Sequence, residues 1–553
     1  MCGALAGGLT AWVAAGLVES TVAGIFSGLL IGFSYTFWSQ SVIAEVYALH
    51  LLMIAASLTA LLAWSRRPTT TRLAAFFAVY ALGFGNHLSM ILLLPGFAVF
   101  LLFGSEKGPR GVLQPRVMAL AVCIAAIASL QYAWNFRGLW LADIPPADLR
   151  EACGRFWFDV TKADWRESLV LGVPWTGLLE RVRMYWFDLR QQFGSLGIGA
   201  AVLGAVYILW TRPARGLLIT TTYLVNLLFA LTYNVGDTHV FFLPSHLAVA
   251  LFAAGGVKSL QSFATRVARL PWTPPVVAGL CLLCPLWRVF DTWPAVDRSC
   301  DRRPTAFLDG VVAGVTGQDA VFDVDMNWQV ENALDYYVKY RRPDLVWFHT
   351  EEVLAHFPAL ARDNARIGRH VLATPLGRER IAAVYSGQFE ALPDPQAIVP
   401  TLRELVARFP RGTPYALALL KPSPEFPVDE RDLTASTLQL TGGRTRLVPE
   451  RNYQIMLGTV GERPALLESR DRPYRLATRI GDLSIDVRME SWLPADTMRR
   501  AGFGHIIVNR RHALTLERGI SFAAFEGNGR VAFTTYRAGL LAPQPRYILQ
   551  ARP

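Results

Sequence analysis

The chain has 553 residues, of which 52% are hydrophobic and only 18% charged, too apolar for one soluble domain and too charged to lie in a membrane throughout. Its net charge of +11 does not mark a nucleic-acid binder, because much of the excess falls in short loops between apolar runs, where Lys and Arg set orientation rather than grip a polyanion. The expectation is a membrane half over 1–290 followed by a soluble half.

In chain order, uncharged runs long enough to cross a bilayer occur at Cys2–Val18, 21–38 and 42–64. The fourth run, 73–104, would form a helix about 48 Å long, against a hydrocarbon core of about 30 Å. It should therefore break at GFGNH (83–87) into two short spans. Runs at 117–134, 195–210, 216–233, 240–257 and 275–290 complete an expected helical bundle of about ten spans. The segment 135–194 is not a span, since it interleaves charges with Trp140, Trp157, Trp165, Trp175 and Trp186. Aromatic residues mixed with Arg in this way predict helices lying in the interface, lining a groove open to lipid and to water.

The loops carrying Arg66, Arg67 and Arg72, then Lys107, Arg110 and Arg116, then Arg212 and Arg215, then Lys258, Arg266 and Arg269 all fall on one side of this map. The positive-inside rule makes that side cytoplasmic. The opposite turns, 39–41, 86–87 and 234–239, hold no Lys or Arg. Glu45, His87, Asp237 and His239 accordingly come to the extracytoplasmic ends of their spans. Glu45 is read as lying about one turn inside the run 42–64, where an acid costs roughly 2.5–3.5 kcal/mol at the span's centre and less near an edge. Intramembrane acids at such a cost mark function by default, so Glu45 is the first site candidate, the alternative being that it lies at the interface, solvated by headgroups, Gln40 and Ser41, and contributes only topology; His87, Asp237 and His239 join it on that face.

Beyond 290 the composition turns to Arg, Asp, Glu and Pro. Strand, helix and strand at 320–324, 328–340 and 345–348 predict a soluble α/β region over 291–392. Closely spaced prolines over 393–430 predict a connector. Short alternating runs over 431–553, among them YQIMLGTV, LSIDVRM, HALTLER and ISFAAFE, predict a β-rich domain of sandwich or barrel type.

Several signals carry less. Cys281 and Cys284 form a CxxC inside an apolar run without zinc-spaced partners, which reads as packing. Nothing in the sequence brings Cys153 and Cys300 together. Asp323 and Asp325 in FDVD read as strand-end acids, with no glycine-rich loop beside them. Asp237 and His239 in YNVGDTH either share a metal or cap the following helix.

Three stretches, FWSQSVIAEVYALH (37–50), GFGNHLSMILLLP (83–95) and YNVGDTHVFFLPSH (233–246), resemble signature sequences of a GT-C type membrane glycosyltransferase family that includes the animal protein O-mannosyltransferase known as transmembrane protein 260. The resemblance covers the membrane half and extends weakly through YYVKYRRPDLVWF (336–348). It implies a multi-pass enzyme of the bacterial inner membrane with an extracytoplasmic C-terminal region. Such an enzyme would take a sugar from a polyprenyl-phosphate carrier in the lipid bilayer and place it, with inversion, on a protein or glycan acceptor. No nucleic-acid partner follows, and no metal ligand set is assigned. In this scheme Glu45 and Asp237 are the candidate catalytic carboxylates, Tyr47, His87 and His239 line the substrate, and Arg181, Arg183 or Arg190 clamp the phosphate.

The family's acidic motif, resembling Asp-Ser-Gly-Glu after its first span, does not occur in this sequence. The first run lacks a basic flank, and the loop map would start it outside, so the chain is expected to be a shortened version of a longer protein. The reading from another class is a non-catalytic transporter or assembly partner for lipid-linked glycans with a glycan-binding β-rich tail. A transporter should spread polar groups through the bilayer's depth, whereas these gather at one surface.

Overall fold

In hydrocarbon every backbone amide must find its partner within its own segment, and the uncharged runs of the first half form helices accordingly. In the computed structural model, which describes residues 1–397 apart from 105–111, 143–144, 162–169, 174, 234–237, 269–271, 297–298, 300–302 and 327, and beyond these the strands named below and 546–552, six helices are long and apolar enough to cross a membrane. They are Tyr47–Arg66, Pro115–Trp140, Gln192–Thr211, Pro213–Thr232, Leu243–Val267 and Thr273–Phe290, with a seventh crossing if Thr21–Gly32 and Tyr35–Ser41, bent by 70°, count as one.

Ten spans is thus a correction to make. Cys2–Val18, Thr70–Gly83 and Leu88–Phe103 are apolar but fall in the 10–17-residue class, and a 14-residue helix reaches only about 21 Å at 1.5 Å per residue. The run 73–104 does break where GFGNH lies. Thr70–Gly83 ends there, and His87 opens the 3₁₀ turn Leu88–Leu93 by accepting the Ser89 N–H at Nδ1.

Leu243–Ala268 is the most enclosed of the long helices and Pro115–Trp140 the least, with 61% and 6% of their spans buried, so the second faces outward. Gly204 and Gly256 allow the helices Trp175–Thr211 and Leu243–Ala268 to meet backbone to backbone. A Cβ at Gly204 would stand 1.7 Å from the Phe252 carbonyl oxygen, and one at Gly256 2.1 Å from that of Ala200, the close approach small residues serve in membrane helices. Trp175–Thr211 is interrupted at Gly194, where φ is 64°, a left-handed conformation that favours glycine.

One end of this unit gathers the basic loops. Arg66 donates to the Gly16 carbonyl at 3.1 Å, Arg215 donates to Gly16 and Leu17 at 3.1 and 3.0 Å, and Arg212 pairs with Glu19 at 2.6 Å. Arginines on the last carbonyls of Cys2–Val18 complement the negative end of that helix. Loops around 66 and 212 therefore share an end, as the loop map expects.

The chain divides into units Met1–Val296 and Asp297–Pro553, past the expected boundary at 290 because Thr273–Val296 runs through it as one helix. Strands of the second unit are β1 Ala320–Val324, β2 Trp347–His349, β3 His370–Ala373, β4 Phe389–Pro393, β5 Pro414–Leu420, β6 Val448–Pro449, β7 Tyr453–Thr459, β8 Leu467–Arg472, β9 Arg475–Ile480, β10 Leu483–Met489, β11 Ile506–Val508, β12 Ser521–Phe525, β13 Val531–Phe533 and β14 Tyr547–Ala551. The first sheet has the order β2-β1-β3-β14-β4. β1 runs parallel to β2 and β3, and β14 antiparallel to β3 and β4. β1 is buried along its whole length, with Phe322, Val324 and Leu334 in one core cluster and Phe357, Val371 and Ile381 in another.

The strand, helix and strand expected near 320 form, and the sheet they belong to also takes β14 from the far end of the chain. β5 to β13, in sheets ordered β11-β10-β9-β8 and β13-β12-β5-β7-β6, lie between β4 and β14 in sequence. β5 falls inside the stretch 393–430 expected to be only a connector. HALTLER (512–518) lies outside the described residues.

Candidate functional site

At the end of the helical unit away from Glu19, a histidine pair is joined by a serine. His50, buried one turn into the Tyr47–Arg66 helix, places Nε2 3.0 Å from Ser89 Oγ, and Ser89 Oγ lies 2.7 Å from His87 Nδ1. The Ser89 backbone N–H also donates to His87 Nδ1, at 3.2 Å. His87 Nδ1 is therefore an acceptor, so the network assigns its proton to Nε2, with the hydroxyl donating to His87 and accepting from His50. The two imidazole rings are tilted by 33° with 4.7 Å between centroids, and Tyr47 and Phe241 flank His87 at 6.0 and 6.2 Å. Asn86 ties this turn to the start of the neighbouring helix by donating to the Val46 carbonyl at 3.2 Å. An interhelical bond of this kind in a membrane is worth only about 0.6 kcal/mol on average. Stability alone is a weak reason to hold two imidazoles in an apolar bundle.

A second network lies around the helix Trp175–Thr211. His246 Nε2 is 2.7 Å from Asp188 Oδ2, both side chains essentially without exposure. Gln192 donates to Asp188 Oδ1 at 3.1 Å and to Thr36 Oγ1 at 2.6 Å, while its own oxygen accepts the Thr36 N–H at 2.9 Å. Tyr185 OH is 3.2 Å from Ser245 Oγ, and its ring lies parallel to His246 at 6.2 Å. Phe241 and Phe242 are consecutive, the ring of the first facing His87 and that of the second facing Tyr185. The third signature stretch therefore stands between the two networks.

The residues expected from the sequence distribute unevenly. His87 and Tyr47 are in the first network. His239 is buried on the short helix Thr238–Phe241, and Arg181 is fully buried. Arg190 is exposed, the side chain of Arg183 is outside the description, and Asp237 lies outside the described residues. Glu45 does not sit a turn inside a helix. It occupies the link between Tyr35–Ser41 and Tyr47–Arg66, exposed, with its N–H bonded to the Ile43 carbonyl at 3.0 Å. Residues 42–46 turn rather than spiral, and the helix begins only at Tyr47.

His50, Ser89, Asp188, Gln192 and His246 were missed. His50 and His246 are the last letters of the first and third signature stretches, and each is an ionisable group within an apolar run, the same signal that singled out Glu45.

Beside the first network lies an apolar cavity of about 410 Å³, lined by Phe76, Tyr80, Phe84, Phe97, Ala125 and Tyr132 among others. Its polar groups are turned to the backbone. Tyr80 donates to the Met90 carbonyl at 3.0 Å, Tyr132 to Phe84 at 2.8 Å and Gln131 to Ala81 at 3.3 Å. Among the described residues no group of three or more His, Cys, Asp or Glu is placed to hold a metal, and Cys153 is a free thiol.

In the second unit Asp323 is fully buried and accepts from Thr350 at 2.9 Å, while Asp325 pairs with Arg380. Burial pushes the Asp323 carboxyl up to about 7, opposed by the Thr350 hydroxyl and aided by the Asp325 charge. Asp323 lies near the end of β1 and Asp325 just beyond it, held by Thr350 and Arg380 from the helices Thr350–Val353 and Pro375–Val384.

Several apolar helices of crossing length and a buried polar network near one end define a multi-pass membrane protein. Residues 9–109 match the family model described as Protein O-mannosyl-transferase TMEM260 N-terminal domain. The match contains the first two signature stretches and stops short of the third. No curated protein matches the chain. Thirteen chains of solved structures do. One is the crystal structure of ArnT from Cupriavidus metallidurans bound to undecaprenyl phosphate, 10% identical with a TM-score of 0.43, covering 70% of this chain and 80% of that one.

Proposed function

We propose that this chain is a GT-C type glycosyltransferase that moves a sugar from a polyprenyl-phosphate carrier to a protein or glycan acceptor on the extracytoplasmic side of the membrane. The observation that carries the reading is the family match over 9–109, a stretch that contains His50, His87 and Ser89. The sidedness is supported by the arginines gathered near Glu19, away from these histidines.

In this reading the donor's isoprenoid tail occupies the apolar cavity between Phe76, Phe97 and Ala125, part of whose wall is the outward-facing helix Pro115–Trp140. Phe84 lines the cavity and precedes His87 by three residues, which brings the carrier's head toward the histidine turn. His87 Nε2–H, left over by the bonds at Nδ1, supplies a neutral donor to a phosphate or sugar oxygen. Arg181 is the candidate cation for the phosphate.

The acceptor oxygen attacks the anomeric carbon, and the bond from that carbon to the phosphate oxygen breaks. The phosphate keeps the electron pair, and the acceptor's proton passes to a carboxylate, for which Glu45 and Asp237 are the candidates. Positioning donor and acceptor in one groove supplies a separate factor.

The test is transfer of label from a panel of polyprenyl-phosphate sugars to extracytoplasmic extract by the purified chain in lipid nanodiscs. Label should appear on protein or glycan with at least one donor. Carrier binding without transfer from any donor to any acceptor would overturn the reading.

A further inference from the structure

The second unit carries a groove that the transfer reading does not use. It encloses about 1000 Å³ between the helix Phe357–Arg366, the turn before β3, the turn before β4 and the end of β14. Four arginines line it, Arg362, Arg366, Arg369 and Arg552, and among the described residues the lining contains no acidic side chain.

Two of these arginines are set by the backbone. Gly368, at φ 77°, ends the preceding helix in the left-handed region, and the Arg369 N–H donates to the Asn364 carbonyl at 2.9 Å. The Arg552 N–H donates to the Gln388 carbonyl at 2.8 Å, closing the end of β14 onto the start of β4. Among the described residues neither Arg369 nor Arg552 makes an ion pair. Arg362 and Arg366 share Asp363 at 3.8 and 3.6 Å, long contacts between side chains more than 60% exposed, which neutralise little.

Like charges facing one groove repel and raise the local concentration of anions. The volume is far more than a bare phosphate fills, given that one water takes about 30 Å³. The rest of the lining suits a sugar. Phe389, held edge-on to Phe357 at 5.0 Å, offers an apolar surface for the C–H face of a pyranose, and the Gln388 amide can bond hydroxyls. Planar guanidinium forks match a carboxylate or phosphate bidentately.

We propose that this groove binds a saccharide carrying a carboxylate or a phosphate, with Arg369 and Arg552 on the anion and Gln388 and Phe389 on the sugar ring. The proposal stands independently of the glycosyl-transfer reading.

Calorimetry on the full chain in zwitterionic nanodiscs tests it. The probes are a uronate-containing disaccharide, its methyl ester, a hexose phosphate, inorganic phosphate and a short single-stranded oligonucleotide. The uronate, the hexose phosphate or both should bind, the two arms telling carboxylate from phosphate, and the methyl ester should bind at least tenfold more weakly than its acid. Arg369→Gln with Arg552→Gln should lose at least tenfold in affinity with the unfolding temperature unchanged. If that pair fails to fold, Arg552→Gln alone, an exposed side chain at the chain's end, should still lose severalfold. Gln388→Ala should weaken the saccharide and leave inorganic phosphate unchanged. The proposal is overturned by no binding of either charged saccharide, by equal affinity for acid and ester, by inorganic phosphate or the oligonucleotide binding as tightly as the saccharide, or by arginine variants that bind like the parent.

Discussion

Two regions of the helical unit use polar residues in opposite ways. Around Glu19 the groups are full charges, Arg66, Arg212 and Arg215, set against helix-terminal carbonyls and one carboxylate that is 65% exposed. Around His87 and His246 the side chains are buried or half-buried imidazoles, hydroxyls and amides with Asp188 among them. Exposed charges orient a helix in a bilayer at little energetic consequence. Buried partners cost desolvation and persist only when fully connected. The first region is built to orient helices, and the second is the one to which the proposed function assigns binding and chemistry.

The comparison breaks first at Asp188. Removing the Asp188 carboxylate leaves buried polar groups of His246 and Gln192 without their acceptor, at about 1–3 kcal/mol for each group left unsatisfied. Asp188→Ala should therefore lower the thermal midpoint of the chain in detergent by many degrees, and an unshifted midpoint would mean that the pair with His246 does not form.

Next in size is the apolar cavity. Ala125→Trp fills space that the tail would take, and should raise the donor KM about tenfold with kcat changed less than twofold. A fall in kcat at constant KM would place the tail elsewhere.

The second unit gives a contrasting case, a buried acid without a buried base. Asp323 is raised to about 7 in the folded chain, against about 3.9 unfolded. The folded state holds this proton more tightly, so the associated stability is complete below about pH 4 and is lost as pH rises through about 7. That loss is on the order of 2–4 kcal/mol. Pulse proteolysis of the second unit in denaturant should show lower resistance at pH 8 than at pH 5, and Asp323→Asn should flatten the difference; the same fall in the variant would assign it to another group.

The smallest effect is expected at the charged end. Glu19→Gln breaks an exposed pair with Arg212 and should cost less than about 1 kcal/mol, vanishing in high salt.

How much of this was legible in the sequence follows from what each signal depends on. Apolar runs report helices directly, so the helical unit, the break at GFGNH and the shared end of the loops at Arg66 and Arg212 could be read. Span length was not, because Thr70–Gly83 and Leu88–Phe103 are cut short by backbone turns that an apolar count does not register. At the site, His87 is legible only through its company: alone it reads as a satisfied turn histidine, and the loop map sets it on the same face as Glu45, Asp237 and His239. His50 and His246 were passed over because they lie inside runs that already read as spans, and only their hydrogen-bond partners, Ser89 and Asp188 from distant parts of the chain, give them meaning. In the second unit the strand, helix and strand from Ala320 to His349 are legible in the sequence, whereas the place of β14 is not. YILQA is too short to say which sheet it joins, and that choice is made by pairing with β3 and β4.

The most direct measurement sets the two regions against each other in one assay, initial rates of sugar transfer from polyprenyl phosphate for His87→Ala, Ser89→Ala and Glu19→Gln beside the parent. The account predicts a loss of about a hundredfold, or about 2.7 kcal/mol of transition-state stabilisation, for His87→Ala, a smaller loss for Ser89→Ala, and a rate within twofold of the parent for Glu19→Gln. Equal rates for His87→Ala and Glu19→Gln would contradict it.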